Sequence, residues 1–215
     1  MMKRVSATAV LCGVLCSSNA LAGEWNIGAS VGSARGDTGT GDLNRELAAR
    51  GLNATASSSD DSRTAWRLYF GYDYTPNWGV EAGYVDLGEV TTTFTGTATD
   101  IDAFLAASGD VHPNTAQGWQ LSAVYRQALG SPRLHAVARL GAFAWSSQYT
   151  LHGVGSSRDV DERGTNLSVG LGLQMGLDEI AWMPPGFAGH LDWDRYSVDG
   201  EPIDLLSLGL SYRFE

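Results

Sequence analysis

The sequence predicts an all-β protein, an eight-stranded antiparallel up-and-down transmembrane β-barrel. Three observations carry this expectation. Eight segments alternate apolar and polar side chains. The connections between them alternate between long and short. Aromatic residues collect at the two ends of the segments and leave aliphatic residues between.

The clearest segments are the second and third, in residues 65–88, AWRLYFGYDYTPNWGVEAGYVDLG. Trp66, Leu68, Phe70, Tyr72 and Tyr74 occupy alternate positions, and Trp78, Val80, Ala82 and Tyr84 do so after Thr75-Pro76-Asn77. A period of two means strands, because successive side chains point to opposite faces. One face is apolar and aromatic; the other carries Arg67, Asp73, Glu81 and glycines. A soluble sandwich with one wet face would also alternate. A membrane barrel turns the apolar face to lipid and the charged face to its interior.

The first segment is Trp25 to Ala34, with Trp25, Ile27, Ala29 and Val31 on one face. The fourth, Gly118 to Gln127, sets Trp119, Leu121, Ala123 and Tyr125 against Gln120, Ser122, Val124 and Arg126. The fifth, Arg133 to Trp145, turns His135, Val137, Arg139, Gly141 and Phe143 inward. The sixth, Thr165 to Gly176, alternates most regularly, from Leu167 to Met175 outward. The seventh, Phe187 to Tyr196, turns His190, Asp192 and Asp194 inward, and the eighth is Leu205 to Phe214. Each approximates the length a tilted strand needs to cross a bilayer.

Long outer loops are expected at 35–63, 89–117 and 146–164, and short turns at Thr75-Pro76-Asn77 and Ala128–Pro132. Long loops at one rim and short turns at the other are the outer-membrane pattern, with the turns in the periplasm. Three long structureless loops would count against a soluble sandwich. On this topology Trp25, Tyr74, Trp78, Tyr125, Phe187, Tyr212 and Phe214 form a periplasmic belt. Trp66, Tyr84, Trp119, Trp145 and Tyr149 form the outer one. Two aromatic belts around an aliphatic band match the bilayer interfaces.

Residues 1–22 read as a secretory signal peptide: Lys3 and Arg4, then an apolar run, then Ala20-Leu21-Ala22. The barrel domain is then 23–215. Both cysteines, Cys12 and Cys16, lie in the leader, so no disulfide or thiol chemistry is expected afterwards. No later segment approaches 18 unbroken apolar residues. Without the leader there are 12 arginines and no lysine against 24 acidic residues, a net charge of −12. Such a chain is not expected to bind nucleic acid. Its mean hydropathy of −0.12 looks soluble. Barrels hide in this way, because only every second residue faces lipid.

By parity Arg67, Asp73, Glu81, Arg126, Arg139, Asp192, Asp194 and Arg213 point into the barrel. An eight-stranded barrel is just wide enough to be filled by side chains. Charges there need partners, because an unpaired buried charge is costly.

The chain resembles the transmembrane domain of the OmpA family. The resemblance rests on Gly71-Tyr72, Pro76-Asn77 and the run Gly79-Val80-Glu81-Ala82-Gly83-Tyr84. Further matches are Trp25 with Gly28, Gly118-x-Gln120-Leu121, Arg139-Leu140-Gly141, Ser207-Leu208-Gly209 and Ser211-Tyr212-Arg213-Phe214. It implies an outer-membrane barrel in which an interior Glu, a second acid and basic residues pair and block the lumen. Glu81 and Arg139 fall on two of those positions and Asp192 on a third. Val124 stands where the family usually has a basic residue, so the network must differ. Arg67 and Arg126 are its other expected members. The resemblance also implies recognition of the C-terminal strand by the barrel-assembly machinery. Here Glu215 follows the terminal aromatic Phe214. The family's periplasmic peptidoglycan-binding domain has no counterpart, and the plan is closer to short barrels of the OmpX kind.

Three functions of different kinds follow: a structural or surface-interaction barrel, a narrow solute channel, or an enzyme acting on lipid A. The first is expected. No G-x-S-x-G elbow is present, and His112 and His152 lie in loops. His190, Asp192 and Asp194 share one strand face but spread over ~13 Å, too far for one metal ion. No cofactor and no metal are expected. The expected partners are outer-membrane lipid and lipopolysaccharide, with an extracellular ligand left open. In the first loop Leu43, Leu47 and Ala48 share a helical face, with Gly51 as a C-cap. In the second, Asp100 or Asp102 suits the cap of a short helix. The acids of Ser157–Arg163 match no calcium-loop pattern and read as solvated.

Overall fold

The alternation of the sequence becomes an alternation of burial. Along residues 62–73 every second residue is buried and the others are exposed, apart from the half-buried Tyr72. The structure, a computed structural model, describes residues 23–36, 40–49, 53–58, 62–88, 92–97, 116–153, 156–180 and 182–214. The expected leader 1–22, the Gly51 cap and the Asp100–Asp102 segment lie outside them. In chain order the elements are β1 (Glu24–Gly36), α1 (Thr40–Ala49), β2 (Asn53–Ser58), β3 (Ser62–Asp73), β4 (Trp78–Asp86) and β5 (Thr92–Thr97). There follow β6 (Gln117–Ala128), β7 (Leu134–Gly153), β8 (Ser156–Gly176), β9 (Phe187–Val198) and β10 (Glu201–Phe214).

Eight of these strands close into one antiparallel barrel in the order β1-β10-β9-β8-β7-β6-β4-β3. β1 meets β10 at the seam through twelve paired positions, from Trp25 with Phe214 to Gly36 with Ile203. Followed from Trp66 through β1, β10 and β9, the register reaches Leu173 on β8. Followed through β4, β6 and β7, it reaches Arg163 on the same strand. The barrel is therefore staggered by ten residues, which for eight strands means a steep tilt and a bore filled by side chains.

The outer wall is apolar. Leu208 is 65 % exposed, Leu167 61 % and Trp119 66 %, so many large apolar side chains face away from the protein. A wall of this kind faces lipid, with the polar groups inside. No described helix is long and apolar enough to cross a membrane; the crossing is made by strands.

The short turns have local causes. At the β3–β4 turn the Thr75 hydroxyl accepts the backbone N–H of Trp78 at 2.8 Å. The Asn77 side chain donates to the Arg126 carbonyl at 2.7 Å, which ties this turn to β6. The β9–β10 connection tightens to Asp199 and Gly200, both at positive φ, the backbone of a two-residue hairpin turn.

The long connections differ from the expected loops. Residues 146–164 belong mostly to strands: β7 and β8 continue as a paired ribbon to Gly153 and Ser156. Beyond Ser146 the ribbon has left β6, and before Ser168 it has left β9. The other two connections contribute β2 and β5, which pair as a separate two-stranded sheet. The first also contains α1, over the stretch with helical spacing. Trp145 is a second correction. It is 6 % exposed and points into the barrel, where its indole N–H donates to Asn166 at 2.8 Å. It shares the parity of Phe143, so it does not belong to the outer belt.

Candidate functional site in the charged lumen

Arg139 on β7 organises the middle of the lumen. Its Nε donates to Glu81 Oε2 on β4 at 3.1 Å, and its Nη1 to Asp192 Oδ1 on β9 at 2.8 Å. Each contact passes over an intervening strand. On the β9 side that strand is β8, which turns Gly170 and Gly172 inward. A Cβ at Gly172 would collide with the Asp192 carboxylate, and one at Gly170 with Asp194. The glycines thus open the space that lets Arg139 reach β9 and lets both aspartates lie flat against the wall.

Glu81 has further partners. Arg126 Nη2 donates to its Oε1 at 2.8 Å, and Arg67 Nη2 lies 3.9 Å from its Oε2. Arg67 also stands 3.9 Å from Asp192 and 3.8 Å from Asp194, and its guanidinium covers the Tyr69 ring at 4.6 Å. Arg126 pairs with Asp73 and donates to Gln174 at 3.2 Å. The five expected residues, Glu81, Arg139, Asp192, Arg67 and Arg126, therefore form one connected group. Asp73 and Asp194 join it, although spacing alone gave no reason to attach them. Val124 is buried as an apolar side chain; the strand-four cation is supplied one inward position further along, by Arg126.

Arg213 stands at the periplasmic mouth, 43 % exposed, rather than in the lumen. It lies 3.2 Å from Glu24 and 3.9 Å from Asp73. Each of the four acids Glu81, Asp73, Asp192 and Asp194 thus has at least one of the buried guanidiniums of Arg67, Arg126 and Arg139 within 4 Å. This matters because a buried ion is tolerated only when paired.

The lumen is layered. On the periplasmic side of the ions is a polar cavity of about 130 Å³, lined by Asn26, Asp73, Arg126, Gln174, His190 and Ser211 among others. On the outer side Phe143, Tyr196, Ile203 and Leu205 are fully buried and pack with Ala34, Val85, Leu87 and Trp145. This apolar layer was not expected. Its members lie on inward positions near the outer strand ends; of them only Phe143 was named as inward-facing.

His190 Nε2 lies 2.7 Å from the Ser211 hydroxyl and 3.5 Å from Tyr69. A nucleophilic serine needs a base held by a third group; among the described residues His190 Nδ1 has no partner. No cluster of three metal-ligating side chains occurs among them either.

The model of one protein family, the outer membrane protein beta-barrel domain, matches residues 7–214. The chain belongs to this outer-membrane β-barrel family. Its location is accordingly the bacterial outer membrane. Among solved structures the chain is similar to Neisserial surface protein A, at 14 % identity and a TM-score of 0.51, covering 88 % of this chain and 97 % of that one. It is also similar to the N-terminal β-barrel domain of Pseudomonas aeruginosa OprF, at 12 % identity and a TM-score of 0.48, covering 89 % and 99 %. The attachment invasion locus protein Ail of Yersinia pestis matches at 16 % identity and a TM-score of 0.45, covering 89 % and 99 %. No curated protein sequence matches the chain.

Proposed function

We propose that this member of the family is a sealed barrel with a structural and surface-presenting role, and neither a channel nor an enzyme. The observation that carries the reading is the filling of the lumen by two successive layers. Arg67, Glu81, Arg139 and Asp192 make the inner layer, each at most 4 % exposed; Phe143, Tyr196, Ile203 and Leu205 make the outer one at 0 %. An ion crossing the bore would have to displace paired charges and then shed water against an apolar constriction. What the barrel offers to its surroundings is its outer end, where α1, the β2–β5 sheet and the β7–β8 ribbon are displayed.

Planar-bilayer recording tests this directly. The wild type should insert without conductance steps. Combined Arg139→Ala, Phe143→Ala and Tyr196→Ala, which cut both layers, should produce them. Reproducible steps from the wild type would favour the narrow-channel reading instead.

A further inference from the structure

The polar cavity at the periplasmic end of the lumen is a cup. Its floor is the ion layer, reached through Arg126, and its mouth is rimmed by Arg133 and Asp178 from two periplasmic turns and by Arg213 on β10. His135, Gln174 and His190 lie on β7, β8 and β9 on one rung of the sheet. Neighbouring strands are about 4.8 Å apart, so these side chains make a continuous polar band along one wall. His190 is occupied by the Ser211 hydroxyl. Gln174 keeps one end free. Its Oε1 accepts from Arg126 Nε at 3.2 Å, which fixes the amide, because a guanidinium only donates. The amide NH2 is thereby turned away from Arg126. It has no hydrogen-bond partner among the described residues, although Gln174 is only 8 % exposed. The half-buried His135 ring has none among them either. The carboxylates that line the cup are engaged. Asp73 accepts from Arg126 and Asn26, with Arg213 at 3.9 Å, and Asp178 accepts the backbone N–H of Gly186 at 3.2 Å. Glu24 and Glu179 hold Arg213 and Arg133 from outside the cup.

We propose that the cup binds a small carboxylate anion from the periplasm, with the Gln174 amide and His135 as its donors. Three features select this occupant. A buried donor left unmade is costly, so the free N–H groups of Gln174 call for an acceptor. The lining carries Arg126, Arg133 and Arg213 against Asp73 and Asp178, and the guanidiniums do not lose their charge. An anion is therefore favoured over a cation, and no cluster of three metal-ligating side chains occurs among the described residues. The two oxygens of a carboxylate accept from donors on neighbouring strands at once, in charge-assisted bonds. The cavity of about 130 Å³ limits the size. It equals about four waters at ~30 Å³ each, which suits an anion of roughly four to six heavy atoms. The inference goes beyond the sealed-barrel reading and does not depend on it, because the cup lies on the periplasmic side of both layers and its test reads binding, not conductance.

The test uses the full chain refolded in uncharged maltoside micelles at constant ionic strength. The probes are acetate, its uncharged isostere acetamide, and inorganic phosphate. Saturation-transfer NMR on the probe methyl group reads binding, and phosphate is read by competition. The wild type should bind acetate saturably and about tenfold tighter than acetamide, as charge-assisted bonds require. Gln174→Glu keeps an acceptor for Arg126 but replaces the free NH2 by a negative oxygen, so it should abolish saturable acetate binding. Gln117→Ala, at the opposite rim, should leave it intact. Equal binding of acetate and acetamide, or unchanged acetate binding in Gln174→Glu, overturns the proposal. So does phosphate that outcompetes acetate, because the occupant would then be a phosphate. The heat-induced mobility shift on gels reports folding separately. If Gln174→Glu does not fold, His135→Phe must weaken acetate binding at least about threefold; no weakening overturns the proposal.

Discussion

The carboxylate of Asp192 occupies the space that a Cβ on Gly172 would need. The two residues are register partners on β9 and β8. One strand gives up its side chain so that its neighbour can turn an acid toward Arg139. Replacing Gly172 by Ala should therefore destabilise the barrel by about 1–3 kcal/mol, the usual cost of overpacking. Urea titration of the refolded protein in vesicles measures it. Because the severest clash is with the Asp192 carboxylate, with the Leu191 carbonyl only grazed, most of the penalty should vanish in an Asp192→Ala background. Additive losses would refute this account.

Glu81 receives Arg126 and Arg139 and stands near Arg67. Glu81→Gln removes the acid that these three buried guanidiniums share. A loss of about 3–5 kcal/mol is expected from breaking such a group from one side. The same titration should show Asp204→Asn, at the exposed pair with Arg195, costing no more than about 1 kcal/mol.

Trp145 is inside the barrel and Trp119 outside. Brominated lipids quench only the indoles they touch. Trp119→Phe should reduce the quenchable fraction of fluorescence, and Trp145→Phe should leave the quenched amplitude unchanged. A fall in that amplitude on replacing Trp145 would return it to the lipid-facing belt.

Phe214 ends β10 on the lipid-facing side, in edge contact with Tyr212 at 5.1 Å between ring centroids. If the assembly machinery reads this end, Phe214→Ala should slow insertion in cells while refolding in vitro proceeds nearly as before. Equal slowing in both settings would assign Phe214 a packing role alone.

Much of this architecture was legible because a period of two is unambiguous over ten residues. Parity alone placed Arg67, Glu81, Arg126, Arg139 and Asp192 inside. Parity does not say which of them meet, since that depends on the stagger of ten residues around the barrel and on where glycines leave room. Asp73 and Asp194 were placed inside on the same ground but could not be joined to the group. The ribbon of β7 and β8 was read as a loop because it leaves the barrel; no buried face enforces apolar alternation there. The Ser, Thr and Ala residues of β2 and β5 carry little alternation either. Trp145 was misread because an aromatic at a strand end suggests a belt, while its parity with Phe143 pointed inward.

The seam between β1 and β10 has a consequence for how the barrel forms. Every other neighbouring pair joins strands that are close in barrel order along the chain, but this one brings Trp25 to Phe214. Its loop-closure entropy is the largest in the molecule, and its contacts raise the contact order of the fold. The two ends must meet before any edge is lost. Until then β1 and β10 each present an open row of backbone donors and acceptors, which hydrocarbon does not tolerate. Insertion and closure are thereby coupled into a single late event.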